Sequence, residues 1–207
     1  MSDRAFEEAC SNLGLQNKQP LFKKYLDLLM DYNQRVNLVG RQQSLDRLYH
    51  HHLLDCLLPI PLLNTKLTVC DVGTGAGFPG LCWALACDEL QITLVEKIQK
   101  KAIFLTAVVE ELKLSHRVTV LSDRVELVSL KADLITCRAV TQIAEFMKLT
   151  QHLGHKNSEW WLLKAKEETI QLELADLNTQ RWSVNVVPLH HPTQDVTRNL
   201  VQITRAN

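Results

Sequence analysis

The feature that most constrains how this chain can fold is a glycine-rich turn in residues 69–80, which read VCDVGTGAGFPG. An apolar stretch leads into Gly73, Gly75 and Gly77, and Pro79 stands where a helix can begin. Glycine permits positive φ angles and close approach of a ligand to the backbone, and proline suits the first turn of a helix. Free N–H groups at that helix end can bind a polar ligand group. The pattern therefore predicts a strand, a ligand-binding turn and a helix in succession.

Short apolar runs alternate with helix-period stretches from residue 66 onward. This alternation is typical of a parallel sheet covered by helices on both faces. The last two runs have no long helix between them, so they can pair antiparallel at the sheet edge. We predict an α/β, Rossmann-like fold with a mostly parallel seven-stranded sheet, an antiparallel edge hairpin and a helical N-terminal extension. The seven runs are residues 67–70, 92–95, 118–121, 134–137, 160–163, 182–187 and 200–204.

The first 65 residues carry a helical pattern instead. Apolar residues recur there at three- to four-residue spacing, Ser44 can cap one helix, and Pro59 can end it. We predict a helical N-terminal segment, residues 1–65, packed on a Rossmann-like domain of residues 66–207.

Composition limits the classes of function. Lys plus Arg and Asp plus Glu each number 23, so the formal net charge is zero and no global positive field attracts nucleic acid. The six cysteines include no CxxC pair, and no apolar run approaches the ~20 residues of a membrane-spanning helix. We expect a cytoplasmic monomer that binds neither a membrane nor DNA, with any RNA contact made by local patches.

Two carboxylates bear on which ligand the glycine turn binds. Asp71 stands at the end of the first strand, where it can hold a cationic ligand group, and a pyrophosphate would be repelled there. Glu96 ends the next strand, 21 positions after Gly75, which suits a carboxylate that accepts ribose hydroxyls. These features favour S-adenosylmethionine. Because residues 75–80 also match the GxGxxG dinucleotide fingerprint, a small NAD(P)-binding oxidoreductase stays open as an alternative.

Several further motifs make the chain similar to a known family. The sequence resembles the ribosomal RNA small-subunit methyltransferase G family, also called glucose-inhibited division protein B, over nearly its whole length. Besides the glycine turn, the resemblance rests on Tyr32-Asn33, Asn37-Leu38, His52-x-Leu54-Asp55, Lys100-Lys101, Phe104-Leu105, Arg124-Val125-Glu126, Cys137-Arg138-Ala139, Leu163-Lys164 and Arg198-Asn199-Leu200-Val201. The chain departs from the family at Cys56, where serine is usual, at Ala165, where glycine is common, and at Glu96, where aspartate is commoner.

The resemblance implies a reaction and a set of site residues. The expected reaction is transfer of a methyl group from S-adenosylmethionine to N7 of a guanine in 16S ribosomal RNA, with the small ribosomal subunit as partner. Val125 and Glu126 are expected to close over the adenine, and Arg138 to reach the cofactor and target pocket. The full set expected to bind the cofactor is Asp71, Gly73, Gly75, Phe78, Glu96, Val125, Glu126 and Arg138.

The chemistry of guanine N7 agrees with a chain in which no catalytic dyad is evident. N7 carries an in-plane lone pair, so in-line attack on a methyl group needs no general base, and alignment supplies the rate. We therefore assign no catalytic residue. Arg138 is the best candidate for the target pocket, where it could bind guanine O6, although a salt bridge to Asp133 or Glu145 is an alternative. Cys137 could be a nucleophile for pyrimidine methylation, but we expect a buried thiol.

Local basic residues are candidates for RNA contact. The predicted contacts are Arg35, Lys100, Lys101, Lys164 and Arg198.

Residues 50–52 are three consecutive histidines. Their side chains point about 100° apart on a helix and cannot all bind one metal ion, so we expect no metal site. Methylation of another RNA or of a small molecule, and a ribosome-binding module without activity, stay open as alternatives.

Overall fold

A single seven-stranded sheet organises the chain. The computed structural model describes residues 2–40, 43–64, 67–192 and 195–206, with side chains from residue 4 onward. The strand order is β3-β2-β1-β4-β5-β7-β6. The strands are β1 (Thr68–Val72), β2 (Gln91–Val95), β3 (Val118–Leu121), β4 (Ala132–Arg138), β5 (Gly154–Lys164), β6 (Trp182–His190) and β7 (Thr197–Arg205).

The pairing confirms the predicted fold class. Strands β1 to β5 pair in parallel, whereas β7 pairs antiparallel with both β5 and β6. The chain moves outward from β1 to β2 and β3, then returns to place β4 on the other side of β1. This reversal is a topological switch point, beside which open α/β sheets bind ligands at the carboxyl ends of their strands.

The edge hairpin is longer than its apolar pattern predicted. Strand β6 continues past residue 187 through Pro188 and ends at His190. In the described part of the chain β6 is the edge strand and pairs with β7 alone, so Pro188 interrupts no pairing on the outer side of β6.

Each face of the sheet carries its own hydrophobic core. One core joins the sheet to the N-terminal helices, α5 and α6, and the other joins it to α7 and α8. The four helices after β1 are α5 (Gly80–Ala86), α6 (Gln99–Glu111), α7 (Ile143–Thr150) and α8 (Glu167–Leu174). Every residue of α5 is buried, since this helix lies between the sheet and the N-terminal helices.

The N-terminal residues form a helical head that packs on α5 and α6. Ser44 caps the third helix as predicted, accepting a hydrogen bond from the Arg47 N–H at 3.2 Å. Trp83 in α5 donates its indole N–H to the Cys56 carbonyl at 2.7 Å, which ties the head to α5. The head comprises α1 (Ser2–Asn12), α2 (Gln19–Asn33), α3 (Leu45–Leu48), a π-helical turn (Tyr49–Leu53) and α4 (Leu54–Leu57).

The predicted domain boundary between residues 65 and 66 lies outside the described residues, so the division into 1–65 and 66–207 stays a prediction. Among the helices that the structure describes, none has the length and apolar character needed to cross a membrane.

The start of α5 leaves no space for a side chain at Gly80. A Cβ added there would lie 2.6 Å from Leu94 Cδ2 and 2.7 Å from Asp71 Cβ, both in the sheet below. We predict that Gly80→Ala destabilises the fold by about 1–3 kcal/mol through overpacking, measured by urea denaturation. The control is Gly40→Ala, where, among the described residues, a Cβ would meet the flexible end of Gln43 at 3.1 Å. Equal stability of the two variants would contradict this account of the packing.

Candidate active site

Two cavities open at the carboxyl edge of the sheet, and Ala139 lines both. The first, the loop cavity, has a volume of about 430 Å³ and lies against the glycine turn. The second, the arginine cavity, has a volume of about 410 Å³ and lies between the head and the ends of β4, β5 and β7. The arginine cavity is lined by Arg47, His51, His52, Asp55, Arg138, Ala139, Leu163, Lys164, Ala165, Leu189, Arg198 and Asn199.

The glycine turn takes the conformation that its sequence predicts. Gly73, Gly75 and Gly77 have φ angles of +69°, +63° and +107°. The Gly73 N–H donates to the Val95 carbonyl at 2.8 Å, which fixes the turn to β2. A Cβ at Gly73 would lie 2.9 Å from Val140 Cγ2, so both the φ angle and the available space require glycine there. Gly73 and Gly75 line the loop cavity.

Asp71 lies beneath the turn and does not line the loop cavity. Its carboxylate is completely buried, and Oδ2 accepts a hydrogen bond from the Gly80 N–H at 2.8 Å. Asp71 Oδ1 and Thr74 Oγ1 are also buried, and the Thr74 hydroxyl interacts with the carboxyl and partly offsets the effect of burial on its pKa. Burial raises the pKa of Asp71 to about 7. The carboxylate therefore fixes the start of α5, and its direct contact with a ligand stays a prediction.

Glu96 supports the turn from the cavity side. Its Oε2 accepts from the Gly75 N–H at 3.0 Å, and its Oε1 accepts from the Ile98 N–H at 2.8 Å. Each carboxylate oxygen has a second lone pair, so Glu96 can still accept hydrogen bonds from a ligand. It lines the loop cavity, as a group that binds ribose hydroxyls must.

Val125 and Glu126 lie on a 3₁₀ turn, Val125–Leu127, and both line the loop cavity. Arg124 Nη2 donates to Glu126 Oε1 at 3.1 Å.

Lys101, which the sequence suggested as an RNA contact, also lines this cavity. Asp123 was missed, although its place just after β3, at the carboxyl edge, is a signal that could have found it.

Phe78 is buried and lines neither of the two cavities. Its ring centroid lies 5.9 Å from that of Tyr25 and 5.3 Å from that of His52, and 5.8 Å from Arg138 Cζ. Phe78 thus packs the glycine turn against the head.

Arg138 lines the arginine cavity and not the loop cavity. Its Nη2 donates to the His51 carbonyl at 2.7 Å and to Asp55 Oδ2 at 3.4 Å. Its Nη1 donates to the His52 carbonyl at 3.1 Å and contacts Cys56 Sγ at 3.5 Å. The arginine therefore ties the end of β4 to the head.

The alternative partners suggested for Arg138 were wrong. Asp133 accepts hydrogen bonds from Thr68 and His155 at the opposite edge of the sheet, and Glu145 pairs with Thr141. The carboxylate that contacts Arg138 is Asp55.

Asp55 is the common partner of several cavity groups. It is 7% exposed, and Oδ1 accepts from Arg198 Nε at 2.9 Å. His191 Nε2 lies 3.8 Å from the same oxygen. Asp55 thus joins the head to β4 and β7. His191 was missed, because nothing in the local sequence places this loop residue beside the head.

The other predicted RNA contacts are dispersed. Lys164 lines the arginine cavity and pairs with Glu173 at 2.6 Å. Lys100 is exposed at the start of α6, and Arg35 is exposed and paired with Asp31 at 3.3 Å. The structure therefore brings Lys164 and Arg198 to one cavity and leaves Arg35 apart.

Two side chains that could have taken part in acid–base or nucleophilic chemistry are neutral. Cys137 is buried, and burial raises the pKa of its thiol far above the ordinary value, so it is not a thiolate nucleophile. Burial and the charge of Arg138 lower the pKa of His52 to about 4. His52 therefore presents an uncharged imidazole to the arginine cavity at neutral pH.

The strand order and the helices on both faces of the sheet define a Rossmann-like fold of the kind found in methyltransferases. Among solved structures, a predicted O-methyltransferase from Agrobacterium tumefaciens aligns with a TM-score of 0.60 and 18% identity, covering 74% of this chain and 81% of that one. A tRNA methyltransferase from Aquifex aeolicus aligns with a TM-score of 0.59 and 12% identity, covering 74% and 69%. At these identities the likeness shows the fold alone.

The sequence comparisons show the family. The family model for "rRNA small subunit methyltransferase G" matches residues 18–201, so this chain belongs to that family. A relative of that description from Chromobacterium violaceum is 36% identical, covering 95% of each chain. Another, from Dichelobacter nodosus, is 35% identical, covering 99% of this chain and 96% of the relative.

The raised pKa of Asp71 makes a pH-dependent prediction. The carboxyl ionises near pH 3.8 in the unfolded chain and near pH 7 in the folded chain, so the folded state favours its protonated form. The stability that this protonated carboxyl contributes is complete below about pH 4 and is lost as the pH rises through 7. Asp71→Asn cannot ionise and retains an acceptor for the Gly80 N–H. We predict that the variant gains stability relative to the natural chain between pH 5 and 8, measured by urea denaturation.

The control for this experiment is Glu111→Gln. The hydrogen bond and charge of Lys24 lower the pKa of Glu111 below its usual value, so its effect on stability is constant between pH 5 and 8. A pH-independent difference between Asp71→Asn and the natural chain would contradict burial of an ionisable carboxyl under α5.

Proposed function

We propose that this protein transfers a methyl group from S-adenosylmethionine to N7 of a guanine in small-subunit ribosomal RNA. The observation that carries the proposal is the adjacency of two unlike cavities that meet at Ala139. Four carboxylates, three cations and the backbone of two glycines line the loop cavity, whereas four cations and one carboxylate line the arginine cavity. The first suits a cationic nucleoside, and the second suits a segment of an anionic polymer.

The residues of the loop cavity fit the methyl donor. When bound, S-adenosylmethionine supplies a methyl group on a positively charged sulfur. Glu96 is proposed to accept the ribose hydroxyls, and Val125 with Glu126 to cover the adenine. Because burial raises the pKa of Asp71 to about 7, its carboxyl is only partly ionised at neutral pH, and the negative charge that it carries beneath the turn favours a cationic ligand over a pyrophosphate. This charge argues against the dinucleotide alternative.

The arginine cavity suits an acceptor that needs no deprotonation. The N7 lone pair of guanine is free at neutral pH, so the cavity has to hold the base in line with the methyl group and exclude water. The neutral ring of His52 offers a surface on which a base can stack. Because the Cys137 thiol is buried and protonated, a covalent route through this residue, as in pyrimidine methylation, is disfavoured.

The relatives' names, ribosomal RNA small subunit methyltransferase G, support ribosomal RNA as the acceptor. We propose that the protein acts as a cytoplasmic monomer on the assembled small subunit, because its zero net charge provides little attraction to naked RNA. The proposed RNA contacts are Arg35, Lys100, Lys101, Lys164 and Arg198.

The proposal is tested by incubating small ribosomal subunits that lack the modification with labelled S-adenosylmethionine, followed by nucleoside analysis. The expected result is label in 7-methylguanosine. Label in another nucleoside would overturn the assignment of the acceptor atom, and absence of label would overturn the activity.

The proposed role of Glu96 predicts a loss of cofactor affinity. Hydrogen bonds to a charged group contribute about 1.5–3 kcal/mol, so Glu96→Ala should weaken binding of S-adenosylhomocysteine by about tenfold or more. Calorimetry measures this loss, with Glu110→Ala on the exposed face of α6 as the control. NAD should not bind either protein. Tighter binding of NAD than of S-adenosylhomocysteine would instead favour the oxidoreductase alternative.

A further inference from the structure

A buried carboxylate lies between two guanidinium groups at the arginine cavity. Asp55 belongs to α4 in the head, Arg138 ends β4, and Arg198 lies in β7. Oδ2 of Asp55 contacts Arg138 at 3.4 Å, and Oδ1 accepts from Arg198 at 2.9 Å. Only about a fifth of each arginine side chain is exposed, at 20% and 22%. One carboxylate therefore sets the positions of two cavity cations.

The two arginines differ in which donors remain free. Both terminal nitrogens of Arg138 are engaged, by the carbonyls of His51 and His52 and by Asp55 and Cys56. Arg198 uses Nε for Asp55, and its Nη1 and Nη2 groups donate to no other residue in the described part of the chain. Arg198 is therefore the arginine of the pair with a whole edge of its guanidinium open to a ligand.

The free edge of Arg198 suits a phosphate group. Two parallel N–H donors match two oxygens of a phosphodiester, and the planar fork requires a fixed orientation to do so. The commonest base contact of arginine, to O6 and N7 of guanine, would occupy the nitrogen that the proposed reaction must leave free. The neighbouring Lys164 is already held by Glu173 at 2.6 Å and by the Thr141 carbonyl at 3.0 Å.

We infer that Asp55 is a positioning residue that fixes the guanidinium of Arg198 so that its Nη1 and Nη2 groups bind a phosphate of the acceptor RNA strand. Arg138 anchors the head to β4 and neutralises Asp55 without touching the RNA. This inference rests on the proposed function, because it assigns the RNA backbone to the arginine cavity.

The inference predicts an effect opposite to that of simple electrostatics. Asp55→Asn removes a negative charge from a cavity that binds an anion, so charge alone would strengthen binding to RNA. If Asp55 acts by orienting Arg198, the same variant instead weakens binding. We expect a loss of about ten- to hundredfold in affinity for the small subunit, the size of one charge-assisted contact.

The experiment measures binding of unmodified small subunits by Asp55→Asn, Arg198→Gln and the double variant, each at several salt concentrations with S-adenosylhomocysteine present. Losing one phosphate contact reduces the slope of log affinity against log salt by about 0.7 to 1. Both single variants should show that reduction, and the double variant should bind no more weakly than Arg198→Gln. Asp55→Glu should recover part of the loss. Affinity for S-adenosylhomocysteine should stay within about twofold, since Asp55 and Arg198 lie outside the loop cavity.

The matched control is Asp133→Asn, which removes the same charge at the opposite edge of the sheet and should leave affinity and salt slope unchanged. The inference is overturned if folded Asp55→Asn binds as tightly as the natural chain, or if the losses of the two single variants add in the double variant. If Asp55→Asn does not fold, Arg198→Lys carries the test, because it keeps the charge and loses the paired donors. An unchanged affinity in that variant would overturn the inference.

A failure of the proposed function is recognised separately. In that case the natural chain would make no 7-methylguanosine, whereas the measurements of affinity and salt dependence would still report on Asp55 and Arg198.

Discussion

The contact between the start of α5 and the carboxyl end of β1 is the constraint on which the remaining structure depends. Asp71 accepts the Gly80 N–H, and no side chain fits between Gly80 and the sheet. This contact fixes both the glycine turn and the direction of α5. Trp83, one turn along α5, then bonds the Cys56 carbonyl and so positions α4. The head is therefore placed by the same turn that forms the loop cavity.

Placing α4 in this way determines the second cavity as well. Asp55 precedes Cys56, and its carboxylate meets Arg138 and Arg198 at the ends of two sheet strands. The two cavities are consequently not independent features. Hydrogen bonds of Asp71, Trp83 and Asp55 connect the turn, α5, α4 and the two arginines, and Ala139 lines both cavities. Fixed geometry of this kind is what a transfer reaction driven by alignment requires.

Local sequence was enough to predict the fold and the glycine turn. The positive φ angles of Gly73, Gly75 and Gly77 and the order of strands and helices follow from residue types at short spacing. The parallel sheet and its antiparallel edge could be predicted because buried strands are apolar runs in the sequence. The end of β6 could not, because an edge strand tolerates Pro188 and continues beyond its apolar residues.

The arrangement around the arginines could not be predicted in the same way. Asp55 and Arg138 lie 83 positions apart, and Asp55 and Arg198 lie 143 apart, so only tertiary packing selects these partners over nearer carboxylates. The side of the turn on which Asp71 lies was likewise undetermined, since a carboxylate at a strand end can face a ligand or the following helix. Lys101 stays a proposed RNA contact, but the sequence could not show that it also lines the loop cavity.

The most direct test of the central claim, that the loop cavity holds the methyl donor and the arginine cavity the acceptor, is a crystal structure with S-adenosylhomocysteine. The account predicts ribose hydroxyls on Glu96, adenine against Val125 and Glu126, and the sulfur directed past Ala139 toward the arginine cavity. A ligand lying among Arg138, Lys164 and Arg198, or a sulfur directed away from Ala139, would contradict it.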